Sequence, residues 1–151
     1  MDARQELIHL INQYAFTIDT GDLEGFAALF EYGELIVEGF APMVGKPGVL
    51  QLMSGVRLYE DGTPKTRHVI TNVDIRLGED NLTAKCQSYL SVFQQTSEFP
   101  LQVIFSGHYF DDFEFVERRW RFVKRLIRYP LIGDMSAHLN EPAAVVPNIH
   151  R

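Results

Sequence analysis

Cysteine is almost absent from this chain of 151 residues: Cys86 stands alone. One thiol makes no internal disulfide, and without a Cys-x-x-Cys pair the common zinc and dithiol frameworks are excluded. Cys86 falls within an alternating apolar run, the setting of a buried, inert thiol. No His-x3-His spacing occurs, and His9, His138 and His150 share no ligand spacing, so neither a metal nor a cofactor is expected. A glycine-rich phosphate loop, a dinucleotide fingerprint and Gly-x-Ser-x-Gly are all missing. No apolar run approaches the ~18 residues of a membrane helix. The first residues lack a basic segment followed by an apolar one, so no signal peptide is expected and the location expected is cytoplasmic. Positive charge is in deficit, with a net charge of −6, which disfavours nucleic acid as a partner. Arg118, Arg119, Arg121, Lys124, Arg125 and Arg128 do cluster around Trp120 and Phe122. They read as a solvated sheet face balanced by Asp111, Asp112, Glu114 and Glu117.

What is present is a core. Hydrophobic residues make up 46% and aromatics 12%, enough for one α+β domain. Asp2 and Gln5 form a capping box for a helix over residues 3–19, with Leu7, Ile8, Ile11, Tyr14, Ala15 and Ile18 at helical spacing. Ile8, Ala15 and Asp19 lie along one edge of the apolar stripe and Tyr14 on the other. Gly21 breaks the helix, and Asp22 caps a short second one ending near Phe30. A strand over 34–38, a loop at Pro42 and Gly45, and a third helix over roughly 47–58 follow. After the Asp61-Gly62 turn, long antiparallel strands are predicted over 66–76, 82–95, 101–115 and about 119–128, ended by Pro130. Val69, Val73 and Ile75 are placed on one side of the first of these, with His68, Ile70 and Asn72 on the other. Leu82, Ala84, Cys86, Leu90 and Val92 share a face of the second. Leu101, Val103, Phe105, Tyr109, Phe113 and Phe115 share a face of the third. Residues 1–139 are thus expected to form a single domain, a strongly curved, mainly antiparallel sheet closed into a cone-shaped barrel by three helices. Residues 140–151 are expected to form an extended tail.

The chemistry rests on Asp19 and His68. A carboxylate on the edge of an apolar stripe needs a partner if it is half-buried. A histidine at a strand start supplies one; held by a carboxylate at one ring nitrogen, it offers the other as a base. An imidazole titrating near ~6.5 suits proton abstraction near neutral pH. Tyr14 would polarise a carbonyl or leaving oxygen. Phe26, Phe30, Tyr89, Phe93 and Tyr109 are expected walls, with Asn72 and Arg128 as polar ligand contacts. His108 opposes Phe105 and Tyr109 in parity and is read as outward or at a subunit contact.

The chain resembles the nuclear transport factor 2-like superfamily, in its SnoaL-like branch, over most of residues 3–135. The motifs are Tyr14-x4-Asp19-x-Gly21-Asp22-Leu23 with Phe26 and Leu29-Phe30, then Thr66-Arg67-His68 with Ile70-Thr71-Asn72. Gly107-His108-Tyr109-x-Asp111-x-Phe113 and Arg119-Trp120-Arg121-Phe122 complete the pattern. Scytalone dehydratase and bile-acid 7α-dehydratase are similar members. The resemblance implies that Asp19 and His68 match their proton-removing Asp–His pair and that Tyr14 matches a tyrosine of the bile-acid enzyme. The second histidine of scytalone dehydratase aligns with Phe93, its serine and asparagine with Gly107 and Tyr109, and its tyrosine before the aspartate with Ile18. The dyad is kept and the polar clamp is not, which implies a more apolar ligand. The expected activity is a dehydratase-type lyase or isomerase acting beside the carbonyl of a small hydrophobic, often cyclic, substrate. Polyketide cyclase-like ring closure is one alternative. A non-catalytic binding or structural subunit, like the small subunit of ring-hydroxylating dioxygenases, is the other. Self-association as a homodimer or homotrimer is expected through the aromatics of residues 101–126.

Overall fold

Asp2 starts the first helix. Its carboxylate accepts from the Gln5 amide at 2.9 Å, and Gln5 Oε1 accepts from the Asp2 amide at 3.1 Å, closing the expected capping box. The helix, α1, runs Ala3–Asp19 and buries Leu7, Ile11, Tyr14, Ala15 and Ile18. Ile8 is exposed, so the buried stripe is narrower than its sequence pattern. Gly21, at φ 81°, ends the helix. A Cβ there would lie 1.9 Å from the carbonyl oxygen of Gly62, so only glycine lets the turn at Gly62 close on the helix end. Asp22 caps α2, Leu23–Ala28, by accepting from the Gly25 amide at 2.8 Å.

In the computed structural model, which describes residues 1–140, six strands follow the order β2-β1-β6-β5-β4-β3 in one sheet. They are β1 (Glu34–Val37), β2 (Met43–Val44), β3 (Thr66–Leu77), β4 (Thr83–Gln94), β5 (Gln102–Val116) and β6 (Arg119–Ile132). The strand β2 lies in the stretch expected to be a loop. The helix α3, Gly45–Met53, begins before Pro47 and ends well short of residue 58. Pro130 does not end β6, which continues to Ile132 with the proline buried. The strand β1 pairs with β6 in parallel and all other pairs are antiparallel, so the sheet is mixed. It is also open, with β2 and β3 as its edges. The fold is α+β, three helices against one face of a six-stranded sheet, and the expected closure into a barrel is not seen in the strand pairing. Of the tail expected at 140–151, all beyond Asn140 lies outside the described residues.

Four register shifts interrupt the ladders, at Thr71/Asp74, Val92/Phe93, Ser106/His108 and Asp112/Phe113. Each bulge bends its strand and can exchange the inward and outward sides beyond it. Ile75 is therefore buried, whereas Val73, expected beside it, is exposed. Leu101 and Val103 turn outward while Ile104 is fully buried. The centre of the core is aromatic: Phe30 stacks on Phe122 at 5.0 Å, and Phe122 meets Phe113 at 4.6 Å.

Candidate active site

The site is built where the end of α1 meets the start of β3. Asp19 is the last helical residue, and no basic side chain occupies that turn to offset the helix dipole. The carboxylate finds its partners on β3 instead. Oδ2 accepts from the His68 backbone amide at 2.7 Å. Oδ1 accepts from the Thr66 hydroxyl at 2.8 Å and lies 2.6 Å from His68 Nδ1. Three contacts from one strand fix the carboxylate and, through it, the imidazole plane. A carboxylate only accepts, so Nδ1 carries the proton and Nε2 keeps its lone pair. No described residue bonds to Nε2. The side chains of His68 and Asp19 are 7% and 16% exposed.

The His68 ring forms part of the wall of a cavity of about 140 Å³. Ile18, Phe26, Leu90, Val92 and Phe105 contribute to the apolar lining. Among the described lining residues, only Tyr14, His68, Tyr109 and His138 carry nitrogen or oxygen in their side chains. An apolar pocket with a few convergent polar groups is the usual form of a small-molecule site. Asp19 borders a separate groove with Thr66, Arg67 and Phe93, so it stands behind His68 rather than in the cavity. The Tyr14 ring lies 6.4 Å from that of His68 and 5.5 Å from that of Tyr109. Burial pushes the Tyr14 phenol above its ordinary range, against the opposing pull of the Arg125 cation. Burial raises Tyr109 further, helped by Tyr14. Both hydroxyls are therefore neutral, and each is a potential donor to an oxygen.

The SnoaL-like domain model matches residues 1–126. The chain belongs to the SnoaL-like family. Solved structures similar to this SnoaL-like chain include a protein of unknown function from Mycobacterium tuberculosis, at 25% identity, covering 83% of this chain and 74% of that one with a TM-score of 0.69. A proposed scytalone dehydratase from Novosphingobium aromaticivorans is 21% identical over 98% and 93% of the two chains, TM-score 0.69. A proposed aromatic ring hydroxylase from the same organism is 20% identical over 89% and 94%, TM-score 0.70. The last two likenesses show the shared fold alone. No curated protein matches the chain.

The SnoaL-like fold brings Asp19, His68, Tyr14, Phe26 and Tyr109 together at or behind one cavity and sends the other expected contacts elsewhere. Phe30 is core, packed behind Phe26 at 6.0 Å. Asn72 sits at the β3 bulge with φ 54°, exposed and away from the cavity. Tyr89 and Phe93 alternate with the inward residues Ser88, Leu90, Val92 and Gln94 of β4 and so point outward. Tyr89 packs on His108 at 5.0 Å, confirming His108 as outward. Arg128 turns to the outside, where its Nη2 lies 3.4 Å from Glu38 and its guanidinium covers Tyr129.

Two further features complete the site. Asp111 and Arg125, assigned to a solvated face, form a fully buried two-pronged ion pair with both bonds at 2.8 Å. Asp111 shares its strand parity with the core residues Tyr109 and Phe113, which was the available signal. The Arg125 guanidinium lies 3.8 Å from the centre of the Tyr109 ring and 4.3 Å from that of Tyr14. It therefore packs beneath both phenols. The second feature is His138, for which the sequence carries no spacing signal. Among the described residues, no group of three or more His, Cys, Asp or Glu side chains could hold a metal ion. No described helix is long and apolar enough to cross a membrane.

Proposed function

We propose that this chain is a cofactor-independent lyase or isomerase, most simply a dehydratase, acting on a small hydrophobic hydroxy-carbonyl compound. The observation that carries this reading is the 2.6 Å contact of His68 Nδ1 with Asp19 at the wall of an apolar cavity. Nε2 takes the proton from the carbon next to the carbonyl. The electron pair moves toward the carbonyl oxygen, where the Tyr14 hydroxyl steadies the developing charge. As the carbonyl reforms, the β-hydroxyl leaves and receives the proton from the imidazolium, so one water departs and His68 returns to its starting state. Asp19 is a positioning residue: it fixes the tautomer and stabilises the imidazolium without touching the substrate. The apolar walls exclude competing water. The neighbouring proposed scytalone dehydratase supports the reaction class by likeness of fold only.

The test is a panel of cyclic β-hydroxyketones, followed by absorbance of the conjugated enone. The expected result is enone formation that falls by about 10²–10⁴-fold in His68→Ala. Wild-type protein that binds panel members yet never dehydrates them would favour ring closure or a binding role instead.

A further inference from the structure

The segment Asp134–Asn140 leaves β6 and packs back across the end of α3. Arg57 N donates to His138 O at 2.8 Å, and Asn140 N donates to Gly55 O at 2.9 Å. Leu139 forms a bridge with Val56, and the Tyr59 hydroxyl donates to Ala137 O. The Gln94 amide donates to Ala137 O at 3.0 Å and to Pro64 O at 3.1 Å, so one side chain ties this strap to the chain just before β3. The strap therefore has a fixed position relative to His68. It presents Met135, His138 and Leu139 to the cavity.

His138 is only 7% exposed, and its Nδ1 is buried with no hydrogen-bond partner among the described residues. No described residue bonds to Nε2 either. An unpaired buried imidazole nitrogen is costly, and natural folds seldom leave one without use. Four backbone and side-chain bonds hold the surrounding strap in place against the rest of the chain. Burial, reinforced by the nearby His68 and opposed by Asp19, pushes the ring down to about 4. Near pH 7 it is a neutral imidazole with one N–H donor and one lone pair.

We infer that His138 is a substrate-binding residue that hydrogen-bonds a further oxygen of the ligand, at the strap side of the cavity and separate from the carbonyl and leaving oxygens served by Tyr14 and His68. The substrate class is then an apolar ring system that carries, besides the carbonyl and the leaving β-hydroxyl at the dyad, a further hydroxyl or carbonyl at the strap. This rests on the reading of the cavity as a ligand site and not on the proton transfer itself.

The test titrates the full chain with α-tetralone and, separately, with each of its ring-hydroxylated isomers by calorimetry. At least one isomer is expected to bind about tenfold more tightly than α-tetralone, a preference lost in His138→Leu and partly kept in His138→Gln, while α-tetralone itself changes by less than about threefold. Thermal melts confirm that each variant is folded. In wild-type protein, the ring ¹⁵N signals of His138 are expected to move with the preferred isomer and not with the parent ketone. Failure of every isomer to outbind the parent, survival of the preference in His138→Leu, or unmoved ring signals would overturn the inference. His68→Ala is expected to keep the preference. Binding of this kind without any proton exchange would sink the proposed reaction and leave the role of His138 standing.

Discussion

Arg125 is the most confined charge among the described residues, and its surroundings explain why it is tolerated. Asp111 meets it with two parallel bonds, and the faces of Tyr14, Tyr109 and Phe122 surround what remains. Burial pushes the Asp111 carboxyl upward, and Arg125 opposes that rise. Removing one partner strands the other charge. Asp111→Asn or Arg125→Met is expected to destabilise the fold by about 3–5 kcal/mol in urea denaturation, whereas Asp111→Leu combined with Arg125→Met should recover most of that loss. His138 makes a separate prediction with a definite sign. Its folded-state value of about 4 lies below the ordinary histidine value, so the unfolded chain binds the extra proton first as pH falls. The stabilisation is complete above roughly pH 6.5 and lost on the way down to about pH 4. Between pH 7 and pH 5 this group should remove roughly 2 kcal/mol of stability, and His138→Leu should flatten that part of the curve. Cys86, with its thiol pushed up to about 12 chiefly by burial, should resist thiol reagents in the native state.

The joint between α1 and β3 depends on one residue without a side chain. Gly21→Ala would force a Cβ against the Gly62 carbonyl at a backbone angle that L residues avoid. A loss of about 1–3 kcal/mol is expected, together with a shift of Thr66 and His68 away from Asp19. Denaturation and the His68 ring signals would report both, and an unaltered dyad in a folded Gly21→Ala protein would show that the joint does not set the geometry. This joint also explains what could be read from the chain alone. The capping box, the glycine break and the carboxylate at the helix end are local signals, and they located Asp19 correctly. Alternation along β4 already set Tyr89 and Phe93 opposite Leu90 and Val92, so their assignment as walls ignored the strand's own period. Asn72, Leu101 and Val103 are different. Their sides depend on bulges, which come from pairing with neighbouring strands and leave no local mark. His138 was invisible for a related reason: a strap held by Gln94, Arg57 and Gly55 delivers it, and those contacts are all distant in sequence.

The helix-covered face of the sheet encloses the cavity, and the outer face carries a group of exposed aromatic and aliphatic side chains. Tyr89 and Leu131 are 50% and 69% exposed, and Phe110 and Tyr129 lie within the same aromatic group as His108. Such patches commonly mark contacts between chains. Sedimentation is expected to find a dimer or trimer that Leu131→Lys weakens; a monomer at all concentrations would rule this out. The cavity faces the opposite side, so the dyad should work the same way in each subunit. The most direct measurement is exchange of the α-protons of α-tetralone in D₂O. Wild-type protein should catalyse it, and both His68→Ala and Asp19→Asn should reduce the rate by at least about 10²-fold while still folding. Exchange no faster than buffer in the wild type, or undiminished in either variant, would contradict the account.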